Sequence, residues 1–326
     1  MIFKCKNCGG NAVYEPSRGK MYCPYCDSLD SEEKQCEQQG VSVCVNCGGE
    51  LQIGDYTSAS QCPYCNSYII FDERVQGEYT PHLILPFKVT KEAVKKMLRD
   101  KFKSSVFAPL DFFSDAKLDS MQGMYVPFWL YDYQAKGYYD GECTKVRTWV
   151  AGDKQYTETS VYHVVREMDA AFDKVPVDAC EGMPDSTMDL MEPYDYKALE
   201  AFRAEYMSGF YGERYNQNAD DMEHRARTRV NQDASSMLHS SISGYTSKRA
   251  NRDGVELSRT EANYALFPVW VYNYKYKDRD YRFHVNGQTG KIVGKVPILP
   301  GKVVGYGATV FGLIFSIMLM LRFLIF

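Results

Sequence analysis

Apolar and polar residues alternate in two aromatic-rich segments of this chain, and a period of two is typical of β-strands. Residues 125–133 and 266–274 resemble each other, with Pro, Trp and two Tyr repeated at a displacement of 141 residues. We predict one strand in each segment, with its proline near the strand start or at an edge. The aromatic stripe is interpreted as sheet packing, and a ligand-binding surface is the alternative.

Turn residues between further alternating segments predict two β-hairpins. Residues 144–150 and 154–165 meet at Gly152-Asp153, and residues 281–285 and 291–293 flank the glycine-containing turn 286–290. The flanking strand patterns favour a hairpin turn over a phosphate-binding loop at the second position.

Three other segments have the spacing of helices. Thr90 is a favourable N-cap for the first, and residues 193–195 precede the second. The apolar stripes of these two consist of Val94, Met97, Leu98 and Phe102, and of Leu199, Phe202, Tyr206 and Phe210. The third, residues 220–239, is more polar and is predicted to lie on the surface. Residues 76–300 are therefore predicted to be one α+β domain with antiparallel meanders and inserted helices.

The last segment is apolar throughout. Residues 303–321 contain no charged side chain, and a helix from Val303 to the last residue would be ~36 Å long. Because a bilayer's hydrocarbon core is ~30 Å thick, we predict a single membrane span in residues 301–326, after the Gly/Pro-rich joint 297–301. Lys291, Lys295 and Lys302 before the span favour cytoplasmic N-terminal domains, and Arg322 can snorkel to the far interface. This arrangement is a tail anchor in the cell membrane; the alternative is a buried core helix.

Cysteine is the most informative residue type. Nine of the 11 cysteines precede residue 66, and no apolar run of signal-peptide length occurs in the first 20 residues. We therefore expect reduced cysteines in the cytosol, where clustered thiols bind metal more often than they form disulfides.

Eight cysteines form a duplicated motif. Two Cys-x-x-Cys pairs separated by 14 residues recur at a displacement of 39 residues. The predicted ligands are Cys5, Cys8, Cys23 and Cys26 for one ion, and Cys44, Cys47, Cys62 and Cys65 for a second. Four thiolates suit tetrahedral structural zinc. We predict two tandem β zinc ribbons, residues 1–39 and 40–75, each holding one Zn²⁺.

The residue after each Cys-x-x-Cys pair often needs a left-handed conformation, and these positions hold Gly9, Asp27, Gly48 and Asn66, types that tolerate it. Alternatives remain for the cysteines: disulfides, iron in place of zinc, or thiol redox chemistry at the glutaredoxin-like Cys-Pro-Tyr-Cys pairs. Redox catalysis would require a thioredoxin-like βαβ setting, which the surroundings do not suggest.

Charge bears on nucleic-acid binding. Residues 1–75 carry six basic and ten acidic side chains, a balance of −4 that equals the net charge of the whole chain. This sign opposes phosphate binding. Lys4, Lys6, Arg18 and Lys20 on the first ribbon form a local basic patch that keeps the alternative open.

Other candidate chemistry is scarce. Cys36, Cys143 and Cys180 are interpreted as small buried hydrophobic residues. The five histidines have no ligand spacing, and no Ser-His-Asp order, phosphate loop or HExxH motif occurs. We therefore expect a protein that is not an enzyme.

The twin ribbons occur together with Pro-His-Leu-Ile-Leu-Pro-Phe-Lys at residues 81–88, the aromatic segment 125–131 and Asn-Gly-Gln-Thr-Gly-Lys-Ile-Val-Gly at residues 286–294. In this combination the chain resembles a bacterial family of TFIIB-type zinc-ribbon-containing membrane proteins, from the ribbons to the span. The resemblance implies zinc on the eight cysteines and a role in envelope stress as a recruiting platform, with a phage-shock-type coat protein and a virion-core-like protein as partners. The leading hypothesis is a membrane-anchored adaptor that binds proteins; the alternative is a membrane-tethered nucleic-acid-binding protein.

Overall fold

The computed structural model describes residues 1–34, 43–103, 105–109, 111–112, 114–276 and 278–325. A polar linker is expected at residues 28–40, and its part from residue 35 onward, which includes Cys36, lies outside these ranges. The strands are β1 Ile2–Cys5, β2 Val13–Glu15, β3 Lys20–Tyr22, β4 Ser31–Lys34, β5 Thr57–Gln61, β6 Tyr68–Ile70, β7 Leu83–Ile84, β8 Gln122–Ala151, β9 Lys154–Asp178, β10 Glu200–Ala201, β11 Tyr211–Glu213, β12 Ser247–Tyr276, β13 Arg279–Asn286 and β14 Ile292–Val293. The helices are α1 Lys91–Phe102, α2 Asp115–Leu118, α3 Asp185–Met191, α4 Ala219–Ser240 and α5 Pro300–Ile325.

Three long antiparallel strands form the centre of the protein. β8 pairs with β12 from Gln122↔Val271 to Thr144↔Ser247, and β9 pairs with the other edge of β8. These strands belong to a ten-stranded sheet with the order β10-β7-β12-β8-β11-β5-β6, in which β9 adds to β8, β13 to β12 and β14 to β13. Both predicted hairpins are present, β8–β9 and β13–β14.

The sheet divides into a body and an arm. In the body, Tyr125, Tyr131 and Tyr272 are fully buried, which supports the sheet-packing interpretation of the aromatic segments. Beyond the body, β8, β9 and β12 continue as a three-stranded arm whose last part, the β8–β9 hairpin around Gly152, has no third strand. The arm therefore projects away from the aromatic body.

Helix α4 covers one face of the central strands, from the aromatic body onto the arm. Its stripe of small and apolar residues, Met222, Ala226, Val230, Ala234 and Leu238, is buried at a spacing of four. Leu238 packs with Tyr139, Cys143 and Val164 of the strands. The predicted surface helix is thus amphipathic, with one face against the sheet.

The helix after Thr90 is also present, and the Thr90 side chain accepts a hydrogen bond from the Ala93 N–H. The helix predicted over Leu199, Phe202, Tyr206 and Phe210 is wrong. This stretch contains 3₁₀ turns at Tyr196–Ala198 and Ala204–Met207, and β10, which pairs with β7. Sheet pairing and stacking of Phe210 on Phe87, at 4.0 Å between ring centroids, override the helical spacing.

The two prolines of the aromatic segments lie inside long strands rather than at strand starts or sheet edges, so that part of the prediction is wrong. Each sits where a neighbouring strand ends: β9 ends at Asp178, and β13 ends at Asn286. The carbonyls of Pro127 and Pro268 accept hydrogen bonds from the loop N–H groups of Ala179 and Gly287. Because the neighbouring strand has ended at these points, the absence of a proline N–H removes no hydrogen bond between strands.

Helix α5 differs from every other element. Residues Pro300–Arg322 are long and apolar enough to cross a bilayer, and no part of this stretch is buried against the protein. A core helix would be packed, so the exposure favours the membrane interpretation of the predicted segment. Two N-terminal four-cysteine groups, a mostly sheet domain and one apolar C-terminal helix make up the described architecture.

Candidate metal centres

Four nearly identical turns bring the eight predicted cysteines into two groups of four. In each Cys-x-x-Cys turn, the N–H of the residue after the second cysteine donates to the carbonyl of the first. The pairs are Gly9 to Cys5 at 2.9 Å, Asp27 to Cys23 at 3.0 Å, Gly48 to Cys44 at 2.7 Å and Asn66 to Cys62 at 2.9 Å. All four donors have the predicted left-handed backbone, with φ of 70°, 61°, 74° and 57°.

Distances between the sulfur atoms distinguish metal ligation from disulfides. The Sγ atoms of Cys5 and Cys26 are 3.6 Å apart and those of Cys8 and Cys23 are 3.5 Å apart. The corresponding pairs in the second group, Cys44–Cys65 and Cys47–Cys62, are 3.7 and 3.8 Å apart. A disulfide measures about 2.05 Å, whereas four thiolates ~2.3 Å from one tetrahedral ion are about 3.8 Å from each other.

Within each group all ligand atoms lie within 4.8 Å of one another, so each group could hold one metal ion. The Cys-Pro-Tyr-Cys pairs, moreover, are not isolated dithiols, because each faces a second pair. Four thiols in such an arrangement match the ligand set of closed structural zinc sites.

Protonation of the thiols is coupled to metal binding, because the thiolate is the form that binds metal. Backbone N–H groups of Cys8 and Asn7 stabilise the Cys5 thiolate and lower the pKa of Cys5 to about 6. Burial raises the pKa of Cys44 to about 12. Four thiolates packed this closely repel one another unless a cation lies between them, so metal binding would release the remaining thiol protons.

Asn7 and Asn46 are site residues that the sequence analysis overlooked. Nδ2 of Asn7 donates to Cys26 Sγ at 3.6 Å, and Nδ2 of Asn46 donates to Cys65 Sγ at 3.4 Å. Each asparagine thus orients a ligand from the opposite turn of its group. The signal was available, because the Asn precedes the second cysteine of the first pair in both copies.

The second glycine of each Cys-Gly-Gly sequence makes room for a tyrosine from the facing turn. A Cβ on Gly10 would lie 2.7 Å from Cδ2 of Tyr25, and one on Gly49 would lie 2.4 Å from Cδ2 of Tyr64. The two tyrosines are 67% and 68% exposed. Each group therefore presents one aromatic ring to solvent at an equivalent position.

Three of the four residues in the basic patch of the first group have contacts within the protein. Lys4 is buried and donates to Asn11 Oδ1 at 2.6 Å, and Lys6 forms a salt bridge of 3.1 Å with Asp30. The Arg18 guanidinium lies 4.4 Å from the centre of the Tyr22 ring. A phosphate backbone would have to compete with these internal contacts.

Among the described residues, no other group of His, Cys, Asp and Glu side chains has the spacing of metal ligands. Cys143 and Cys180 are buried, as predicted. Burial raises the pKa of Asp178 to about 6 against the effect of Arg225, 2.9 Å away, and burial lowers the pKa of His284 to about 4. None of these groups lines the four described cavities, the largest of which, about 640 Å³, lies on the arm around Gly254.

A comparison with known proteins finds one extensive similarity. The chain is 37% identical over 320 residues to the uncharacterized protein YdjG of Bacillus subtilis (strain 168), covering 95% of this chain and 94% of that protein. No protein-family model matches the chain, and no solved structure matches it.

Proposed function

We propose that this chain, which belongs to the family of YdjG, is a non-enzymatic adaptor that is anchored in the cell membrane and recruits protein partners through two zinc ribbons. The proposal is based on the position of two features at opposite ends of the chain. Two four-cysteine groups with exposed tyrosines lie in the N-terminal part, and an apolar helix whose residues are not buried forms the C-terminal part.

Zinc is the proposed metal because four thiolates in a closed tetrahedron satisfy a d¹⁰ ion that has no redox chemistry. In such a site the ion fixes the fold and leaves the surface residues to bind. The Tyr25 and Tyr64 rings are suited to that role, since amphipathic aromatic side chains are enriched in protein interfaces.

The charge distribution supports protein partners over nucleic acid. Lys4 and Lys6 are engaged by Asn11 and Asp30, and the N-terminal residues 1–75 carry an excess of acidic side chains. Binding to phosphates rests mainly on neutralising their charge. The partners to test first are those that the family resemblance implies, a phage-shock-type coat protein and a virion-core-like protein, in an envelope stress response.

The anchor is tested by deleting residues 303–326. We expect the protein to move from the membrane fraction to the soluble fraction, because the removed segment holds most of the apolar helix that is long enough to cross a bilayer. The full chain is the control, and a truncated protein that stays with the membrane would show that the anchor is misassigned.

The adaptor role is tested by purifying the tagged full chain from solubilised membranes and identifying what co-purifies. We expect specific proteins whose recovery falls in the double variant Tyr25→Ala, Tyr64→Ala. A matched control is Tyr56→Ala, which removes a tyrosine that is 44% exposed but lies outside the Cys-x-x-Cys turns. Salt-dependent retention of mixed-sequence DNA, without a specific protein, would favour the nucleic-acid alternative instead.

A further inference from the structure

A short loop of the sheet domain is attached to the first turns of α5. The Leu299 N–H donates to the Phe107 carbonyl at 2.9 Å, and Lys302 Nζ donates to the Ala108 carbonyl at 2.7 Å. The Phe107 ring packs edge-on against the ring of Tyr306 at 5.6 Å. These contacts keep the loop beside the helix, so its position relative to a membrane follows from that of α5.

Large apolar side chains around this attachment face solvent. Val106 is 61% exposed, Ile298 is 63% exposed and Tyr306 is 60% exposed. Single exposed apolar residues are common on protein surfaces. Here, however, they are continuous with the exposed apolar surface of α5, so that one surface runs from the helix onto the sheet domain.

The charged groups nearby suit a headgroup layer. Lys103 and Lys295 are exposed, and Lys302 is half-buried with its ammonium group on the loop carbonyl. Asp111, on the same loop, accepts a hydrogen bond from the Tyr274 hydroxyl at 2.9 Å. Lysines that border an apolar surface are typical of membrane interfaces, where the apolar stem stays in contact while the ammonium reaches water.

The depth of the loop follows from helix geometry. Tyr306 lies three residues after Val303, or ~5 Å along a helix axis at ~1.5 Å per residue. Interfacial segments bury their apolar side chains ~5–10 Å into the boundary between headgroups and acyl chains. A loop held at Tyr306 is therefore at interfacial depth when α5 crosses the bilayer.

We propose that residues 105–107, together with Ile298, insert into the interfacial region of the lipid bilayer and hold the sheet domain against the membrane surface. This inference rests on the proposed span of α5 and adds a second, lateral contact to it.

The consequence is a fixed orientation of the sheet domain relative to the membrane. Because Tyr272 and Tyr274 at the end of β12 contact this loop region, the β8–β9 hairpin at the opposite end of the strands points away from the membrane.

Tryptophan fluorescence in vesicles tests the contact. The full-length variant Val106→Trp is reconstituted in phosphatidylcholine vesicles whose lipids are brominated either near the headgroup or near the chain end. The matched control is Val150→Trp at the tip of the arm, where the replaced valine is 70% exposed. The unchanged chain supplies the background of Trp129, Trp149 and Trp270.

We expect the fluorescence added by Val106→Trp to be lost with lipids brominated near the headgroup and less affected by bromine near the chain end. The fluorescence added by Val150→Trp should be unchanged by either lipid. Equal, unquenched emission from both variants in vesicle-bound protein overturns the proposed contact while leaving the span intact. Protein that fails to float with the vesicles overturns the span and this contact together.

Discussion

The two four-cysteine groups have the same local geometry but different surroundings. Both have the same hydrogen-bond pattern in their two turns, the same left-handed positions and the same asparagine-to-sulfur contact. These features depend on residues within a few positions of each cysteine, and those residues are duplicated in the sequence. Local chemistry therefore specifies the metal site independently of the fold around it.

The first four-cysteine group is not part of the main sheet. Its hairpin β2–β3 is a separate two-stranded sheet. The Tyr14 N–H donates to the Ser208 carbonyl at 2.7 Å, and the Tyr14 ring packs on Tyr206. Phe3 and Met21 also belong to the main hydrophobic core.

The second group is part of the main sheet. Its hairpin β5–β6 pairs with β11, which in turn pairs with β8 of the central sheet. Cys62 follows β5 directly and is fully buried. The residues that make this connection, such as Ala59, have no counterpart of the same type in the first copy, where the equivalent position is Lys20. Metal bound here should therefore stabilise strands of the main sheet directly, whereas metal bound at the first group should stabilise a separate hairpin that reaches the sheet domain through packing and single hydrogen bonds.

The largest effect is expected from removing one ligand at a time. Native mass spectrometry of the full chain should show two zinc ions, and either Cys23→Ser or Cys62→Ser should lose one of them. Cys62→Ser should also lower the thermal unfolding midpoint of the sheet domain by more than Cys23→Ser does, because the lost ion braces a strand of the main sheet. The measurements are metal content and thermal unfolding followed by circular dichroism.

The matched control is Cys36→Ser, which removes a cysteine that is not among the eight predicted ligands and should leave two ions bound. Equal destabilisation by Cys23→Ser and Cys62→Ser would contradict the inference that only the second group is built into the main sheet. A folded chain that carries no metal would contradict metal binding altogether.

A smaller effect should separate the two asparagines. Asn46→Ala removes a donor to Cys65 Sγ and a second hydrogen bond to Ser67 Oγ at 2.9 Å, whereas the described polar contact of Asn7 is to Cys26 alone. Loss of such an orienting group lowers metal affinity by ~10–100-fold. Competition with a chromophoric chelator should place Asn46→Ala near the upper end of that range and Asn7→Ala near the lower end. The reverse order would show that the sulfur contact alone determines the effect.

The smallest effect concerns the left-handed glycines. Gly9→Ala and Gly48→Ala add a methyl group that meets no atom within 4 Å, so the cost is backbone strain of about 1 kcal/mol. That corresponds to a loss of roughly fivefold in zinc affinity. Because the turn is local, we expect equal losses in the two groups by the same chelator competition. Clearly unequal losses would mean that the surrounding fold participates in the turn.

Much of the architecture was predictable from short-range patterns. The spacing of the cysteines and the residue types after each pair specified both four-cysteine groups, since these depend on adjacent residues only. The same holds for α1 with its Thr90 cap, for the two hairpins and for the uncharged stretch that forms α5.

Long-range contacts determined the rest. Tyr206 and Phe210 have helical spacing but join short turns, because rings from distant strands and a sheet edge compete for them. Pro127 lies inside a strand because β9 ends beside it, about 50 residues later in the chain. The different embedding of two duplicated motifs likewise depends on β11, more than 100 residues beyond either. Hydrogen bonds and packing between residues so far apart leave no periodic pattern in the sequence, so only the folded chain reveals them.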